Sequence, residues 1–307
     1  MVCRTIDKKK NSRDKLTHIL LLVPSVISAS FVFFIIIFVA KRGVAPFLVS
    51  SYGSESVNLL RFLTGTTWYV PPTAYGIFFI VVNTIYVVAL AAIIAVVISV
   101  TTALFIAKMT NRIIGGFLKT VIELLAAIPS IIYGVFGLGV ITKFVIGLAD
   151  VFGSQTAGGI STLSTILVLA IMIYPTVTLM SITAINAVDT NLEKGSLALG
   201  ASRIQTYFKV TLLTAKSGIF SGVILGIGRA LGEATAVSMV AGNAGSGPSF
   251  DLFSTTRTLT STMLLGLKET SGVDYDIRFS VGIVLVFVIL FGNLLLNHFK
   301  KRIGKYS

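Results

Sequence analysis

Charge is scarce in this sequence. Asp, Glu, Lys and Arg make up 12% of its 307 residues, where a water-soluble domain carries about a quarter. A chain this poor in charge cannot clothe an ordinary aqueous surface, so much of it faces another medium. Acidic residues are the rarest, 12 against 25 basic ones. The single cysteine, Cys3, excludes an internal disulfide and a thiolate metal cage. Its two histidines, His18 and His298, lie near opposite ends of the chain, so neither an H-E-x-x-H pattern nor any clustered metal-ligand spacing exists. Also missing are a G-x-x-x-x-G-K phosphate loop and a G-x-S-x-G nucleophile turn. No metal, cofactor or catalytic set is expected, and the chain does not read as an enzyme.

What fills the sequence instead is apolar. Hydrophobic residues reach 54% and the mean hydropathy is +0.93. Apolar runs occupy 19–40, 77–107, 122–141, 162–185, 217–241 and 279–298, each long enough to cross a hydrocarbon core of about 30 Å. The expected fold class is an all-α integral membrane protein with six transmembrane helices, bathed in membrane lipid. The first run has 22 residues and is followed by Lys41-Arg42. It exceeds the core of a signal peptide, about 7–15 residues, and lacks a small-x-small cleavage pattern, so it reads as a retained span. The second, at 31 residues, would reach about 46 Å as a helix and must tilt or project into water. Pro129 and Pro175 interrupt the third and fourth, and interior prolines kink helices.

A net charge of +13 would suggest nucleic acid in a soluble protein. Here the basic residues sit in short segments between apolar runs, where they act as orientation signals, and no nucleic-acid partner is expected. Seventeen fall on the side of the termini and seven on the other, with Arg229 alone inside a span. That bias puts both termini in the cytoplasm. It divides the chain into a basic tail (1–18), a first transmembrane helix (19–40), an extracytoplasmic loop (41–76), a core of five transmembrane helices (77–298) and a short cytoplasmic tail (299–307). Within the core, 186–216 is a cytoplasmic loop.

This loop carries helix signals. Thr190 and Glu193 have capping-box spacing, Gly200 has the position of a left-handed helix stop, and Ser202 with Gln205 forms a second box. The segment reads helix, glycine turn, helix; alone, it is equally suited to bracing the bundle or contacting a cytoplasmic partner. EKGSLALGASR (193–203), followed by Val210-x-Leu212, resembles the cytoplasmic loop motif of ABC importer permeases. In that family the first helix is a coupling helix seated in a cleft of the ATPase subunit, a role the resemblance assigns to Glu193, Gly195, Ala198, Gly200 and Ala201. The family motif has glutamate six residues before its glycine and proline thirteen after it. Lys194 and Leu213 stand there in this chain, with Glu193 one position early.

The fifth run holds Arg229 and Glu233 well inside apolar sequence. An arginine at mid-bilayer costs about 2.5–3.5 kcal/mol on insertion scales, so it faces protein or water. At about 100° per residue, Gly218, Gly222, Gly226, Arg229 and Glu233 share one helix face. Glycine ladders let another helix come close. Two readings stay open: a packing seam locked by a salt bridge, or a strip lining a solute path, with Arg229 attracting an anion and Glu233 holding it in place. Glu123, four residues after Lys119, reads either as an interfacial ion pair or as a gate partner for Arg229.

GIGRALGEATAVSMVAGN (226–243) and ELLAAIPSIIYGVFGL (123–138) resemble the PstC-type permeases of phosphate ABC importers, within the family of binding-protein-dependent transport system inner-membrane components. The similarity runs over roughly residues 16–305. It implies a type I ABC importer permease fold and import of inorganic phosphate driven by ATP hydrolysis on a separate chain. It also implies a role in phosphate passage for Arg229 and Glu233, with Glu123 a weaker candidate. The implied partners are a second homologous permease, a cytoplasmic ATPase dimer and an extracytoplasmic phosphate-binding protein, in a bacterial or archaeal cytoplasmic membrane. Another oxyanion, sulfate or molybdate, or the sister permease of the same importer, is the nearest alternative. An ion-coupled secondary anion transporter is the alternative from another class; it would show internal repeats and several buried ionisable residues, and no convincing repeat is found.

Overall fold

The computed structural model describes residues 2–48, 56–69 and 74–304, without the side chains of 2–16, 303 and 304. The basic side chains of the N-terminal tail up to Lys15, and Lys305, lie outside the described residues. Six helical stretches among the described residues are long and apolar enough to cross a membrane: Thr17–Phe47, Phe78–Met109, Ser130–Val151, Thr162–Asn186, Arg203–Leu231 and Val273–Arg302.

The first belongs to α1 (Val2–Val44). Between it and α3 (Phe78–Leu104) lie the short α2 (Leu59–Thr64), capped by the Asn58 side chain, and a small hairpin of β1 (Trp68–Tyr69) and β2 (Ala74–Tyr75). Trp68 is buried edge-on against Tyr75 at 5.4 Å. A π-helical turn, Phe105–Met109, closes α3.

The third span differs from expectation. The chain forms α4 (Arg112–Ala127), breaks, and resumes as α5 (Ser130–Phe136), a π turn (Gly137–Ile141) and α6 (Thr142–Val151). The crossing stretch is thus Ser130–Val151 and not 122–141. Ile128 is extended, with ψ 128°, because a proline ring crowds the helical conformation of the residue before it. Pro129 therefore opens a helix instead of kinking one, whereas Pro175 sits inside the continuous α7 (Thr162–Asn186).

The fifth span differs too. After α8 (Thr190–Ala198), α9 (Arg203–Thr206) runs through a π turn (Tyr207–Thr211) into α10 (Leu212–Leu231). The helix stops there, and α11 (Thr235–Val240) is separate. Residues 217–241 are not one helix. Last come α12 (Leu259–Leu264) and α13 (Val273–Gly304).

Three helices make the centre. Val87, Ala91 and Ala95 of α3 cluster with Leu169, Ile173 and Val177 of α7 and with Ala230 and Leu231 of α10. The glycine stripe of α10 packs on α7. A Cβ on Gly218 would lie 2.6 Å from Ala184 Cβ, on Gly222 2.7 Å from Met180 Cβ, and on Gly226 2.9 Å from Val177 Cγ2. These separations are too short for any side chain, so bare backbone is what allows the approach.

Where α3 begins, a second cluster joins Phe62, Trp68, Tyr75, Phe79, Ile80, Leu259 and Ile277. There α12 is inserted between helices, with Leu259 N donating to Thr84 Oγ1 at 3.0 Å. Arg278 Nη1 donates to the carbonyls of Thr262, at 2.8 Å, and Leu265, satisfying the end of α12. Arg257 is buried in the preceding segment, where its Nη2 donates to the Asn243 carbonyl at 2.8 Å. Burial, with Arg278 nearby, pushes its guanidinium pKa down to about 10. Near its end α1 leans on α13 through Phe38 against Phe279 at 5.6 Å, the Arg42–Asp276 pair at 3.3 Å, and a 2.6 Å bond from the Ser280 hydroxyl to the Gly43 carbonyl.

Replacing Gly222 by valine should drive α10 away from α7 and lower the melting temperature of the purified protein, at a cost of about 1–3 kcal/mol for overpacking. Gly116 lies in α4 with open space for 4 Å around the place a Cβ would take, so Gly116→Ala should be neutral or stabilising by up to about 1 kcal/mol. Thermal unfolding in detergent compares the two.

Candidate functional site

Arg229 stands in the last turn of α10, half-buried. Its neighbours Ala230 and Leu231 belong to the central cluster with Ala91 and Ala92, midway along α3. The guanidinium is therefore near mid-depth in the bundle. Its Nη1 reaches Thr176 Oγ1 at 3.4 Å, near the middle of α7. Both residues line a cleft of about 600 Å³ whose other walls are Ile224, Leu225 and Gly228 of α10 and Asn293 and Asn297 of α13. Neither asparagine side chain has a partner among the described residues.

Among the described residues no carboxylate pairs with Arg229. The described residues hold ion pairs at Arg42–Asp276, Lys108–Glu193 and Lys119–Glu123, and none at Arg229. Glu233 was expected to hold the arginine from one turn further along the same helix; it does not. The helix ends at Leu231, so the four-residue spacing no longer places the two on one face. Glu233 instead serves α11: its Oε1 accepts from Ala236 N at 3.0 Å, and its carbonyl accepts from Thr260 Oγ1 at 2.7 Å. A carboxylate at a helix start satisfies free amides and complements the dipole. Glu123 pairs with Lys119 at 3.6 Å, both about half exposed, and makes no contact with Arg229. The strip read as continuous is thus two things, a glycine seam against α7 and an arginine facing a cleft.

Three lining residues escaped the sequence reading. Thr176 carries no signal beyond its place beside Pro175. Asn293 and Asn297 do carry one: two carboxamides four residues apart near the end of an apolar run share a helix face, and polar side chains there seek water or a partner.

The loop between α7 and α10 is a second constellation. Asp189, and not Thr190, caps α8, its side chain accepting from Asn191 N at 2.9 Å. Gly200 turns the chain with φ +85°, a conformation open mainly to glycine. Ser202 and Gln205 form a reciprocal capping box that starts α9. Gly195 and Ala198 are exposed and Ala201 is half-buried. Glu193 faces inward to Lys108 and Thr211. On the outside, Leu192, Leu199, Ile204 and Phe208 are exposed, Leu199 to 91%, an apolar surface suited to another protein.

Residues 99–305 match the family described as binding-protein-dependent transport system inner membrane component. The chain is 35% identical over 274 residues to the probable ABC transporter permease protein YqgH of Bacillus subtilis (strain 168), covering 87% of this chain and 84% of that protein. It is 32% identical over 292 residues to the phosphate transport system permease protein PstC of Pasteurella multocida (strain Pm70), covering 89% and 91%. Among solved structures, a chain of a bacterial alginate ABC transporter, in complex with alginate pentasaccharide-bound periplasmic protein, superposes with TM-score 0.65 over 96% of this chain and 97% of that one, at 17% identity. A chain of the MetNI methionine ABC transporter in an inward-facing conformation gives 0.56 over 76% and 99%, at 18% identity. At such identities the structures speak for the fold alone, which is that of type I ABC importer permeases.

Because the Glu233 carboxylate accepts from Ala236 N in the first turn of α11, Glu233→Ala should lower stability by about 1 kcal/mol. Glu123→Ala, which removes only an exposed pair, should change it by less than about 0.5 kcal/mol. Denaturation midpoints of the two variants, measured side by side, check the assignment.

Proposed function

Since the chain belongs to the binding-protein-dependent transport system inner membrane components, we propose that it is the permease subunit through which an ATP-driven importer carries inorganic phosphate. It is a multi-pass membrane protein and a transport component, not an enzyme. The observation that carries the choice of solute is the unneutralised guanidinium of Arg229 facing a cleft at mid-depth, together with likeness to phosphate permeases.

A cation held in apolar surroundings without a counter-ion draws anions strongly. Arginine offers donors in a planar fork, which suits the tetrahedral oxyanion. Thr176 holds the fork from one side. Across the cleft, each carboxamide of Asn293 and Asn297 has both donors and an acceptor. It can therefore also accept from the P–OH of a protonated phosphate, a proton that sulfate lacks. Neutral donors around a single charge bind an anion weakly enough to let it leave, as a path requires.

The remaining parts follow from the family. A second homologous permease completes the path, a cytoplasmic ATPase dimer seats the exposed apolar face of the 186–216 loop, and an extracytoplasmic phosphate-binding protein delivers the solute to the opposite end. The excess of basic residues on the side of the termini favours a cytoplasmic location for both, in a bacterial or archaeal cytoplasmic membrane.

Reconstituted, ATP-dependent uptake of labelled phosphate tests the reading. Arg229→Ala should assemble normally and lower uptake about 10- to 100-fold, the loss of one charged hydrogen-bonding group. Unlabelled sulfate should compete poorly with the wild type and better once Asn293 is replaced by leucine. Normal phosphate uptake by Arg229→Ala would remove the residue from the path.

A further inference from the structure

One carboxylate joins three segments. Glu193 lies in the first turn of α8, and its Oε1 pairs with Lys108 Nζ at 2.7 Å and accepts from Thr211 Oγ1 at 2.9 Å. The Lys108 and Glu193 side chains are each only 14% exposed, and Thr211 is fully buried. Both partners occupy π turns: Lys108 the turn that closes α3, Thr211 the end of the turn that leads into α10. Such turns carry an extra residue in the helical ladder, leave its bonding locally weaker, and occur mostly where function demands it. Two of the three π turns among the described residues are therefore held by one oxygen atom.

The faces of α8 are divided accordingly. Ser196, three residues from Glu193, also points inward, its Oγ 3.0 Å from Thr206 Oγ1. Leu192 of α8, and Leu199 just past its end, are exposed to 49% and 91%. Glu193 thus turns its charge toward other segments of this chain. A force applied to the outer side of α8 meets an inner side fastened to α3 and α10 at once. From Thr211 to Arg229 the second of these is a helical rod of about 27 Å.

We propose that Glu193 is a positioning residue that binds α8, the end of α3 and the start of α10 into one body, so that a displacement of α8 is delivered to Arg229. The inference rests on the permease reading for its consequence, while the clasp itself is independent of which solute is carried. A largely enclosed pair is the fitting device, since removal of one partner strands the other charge and opens the contact. Glu193→Gln keeps the shape and the Thr211 bond and loses the ion pair.

The test uses the assembled importer in lipid, with two readouts: phosphate imported per ATP hydrolysed, and hydrogen exchange of the backbone amides in 105–111 and 207–212. Glu193→Gln should lower the import-to-hydrolysis ratio on the order of tenfold and speed exchange in both π turns together. The charge swap Lys108→Glu with Glu193→Lys should recover most of both, because a threonine hydroxyl can accept as well as donate. An unchanged ratio, unchanged exchange in either turn, or a swap that assembles without recovery overturns the proposal. Should Glu193→Gln fail to assemble, Lys108→Gln removes the other end of the pair and carries the same test. If the wild-type complex hydrolyses ATP yet moves no phosphate, the solute assignment falls, and the exchange rates still decide the clasp.

Discussion

The close approach of α10 to α7 is the contact on which everything else is hung. Gly218, Gly222 and Gly226 present bare backbone to Ala184, Met180 and Val177, and in a bilayer such packing replaces the hydrophobic drive that lipid cannot supply. Once that seam is closed, the roll of α10 about its axis is settled. Arg229, three residues beyond Gly226, then has to emerge beside Thr176 and toward α13. The position of the charge is a consequence of where the chain has no side chains.

Much of this could be read in advance. Six spans, the glycine seam and the turn at Gly200 all follow from local chemistry: apolar length, small residues at helical spacing, and a glycine where φ must be positive. The errors arose where a hydrophobic run contained a break that composition does not reveal. Residues 217–241 are apolar throughout, yet the helix ends at Leu231, and Glu233 goes to the start of α11. Likewise 122–141 ignores the constraint Pro129 places on Ile128, which separates α4 from the crossing stretch. Tertiary placement was the other blind spot. Nothing in the local sequence says that α13 brings Asn293 and Asn297 to the arginine, although their spacing in a greasy run was visible.

The acidic side chains show how one functional group takes different work in different surroundings. Glu123 lies open to solvent, and its pairing with Lys119 is a weak surface contact. Glu233 turns to backbone amides and organises a helix start. Glu193 is enclosed, and enclosure converts the same charge into a structural joint. None of the three sits against Arg229, and the proposed path depends on that, because a carboxylate there would occupy the place an anion needs.

The first helix bears a different kind of consequence. From Ile19 to Ile37 its large side chains are exposed within this chain, while Phe38, Arg42 and Gly43 tie its end to α13. An outrigger of that kind answers to oiliness and length, with little demand on shape. Over those residues leucine, isoleucine, valine and phenylalanine should be interchangeable over evolutionary time, while Phe38, Arg42 and Gly43 drift slowly. Kinship should therefore fade fastest along this arm, and a comparison weighted toward it would underestimate how near two such proteins stand.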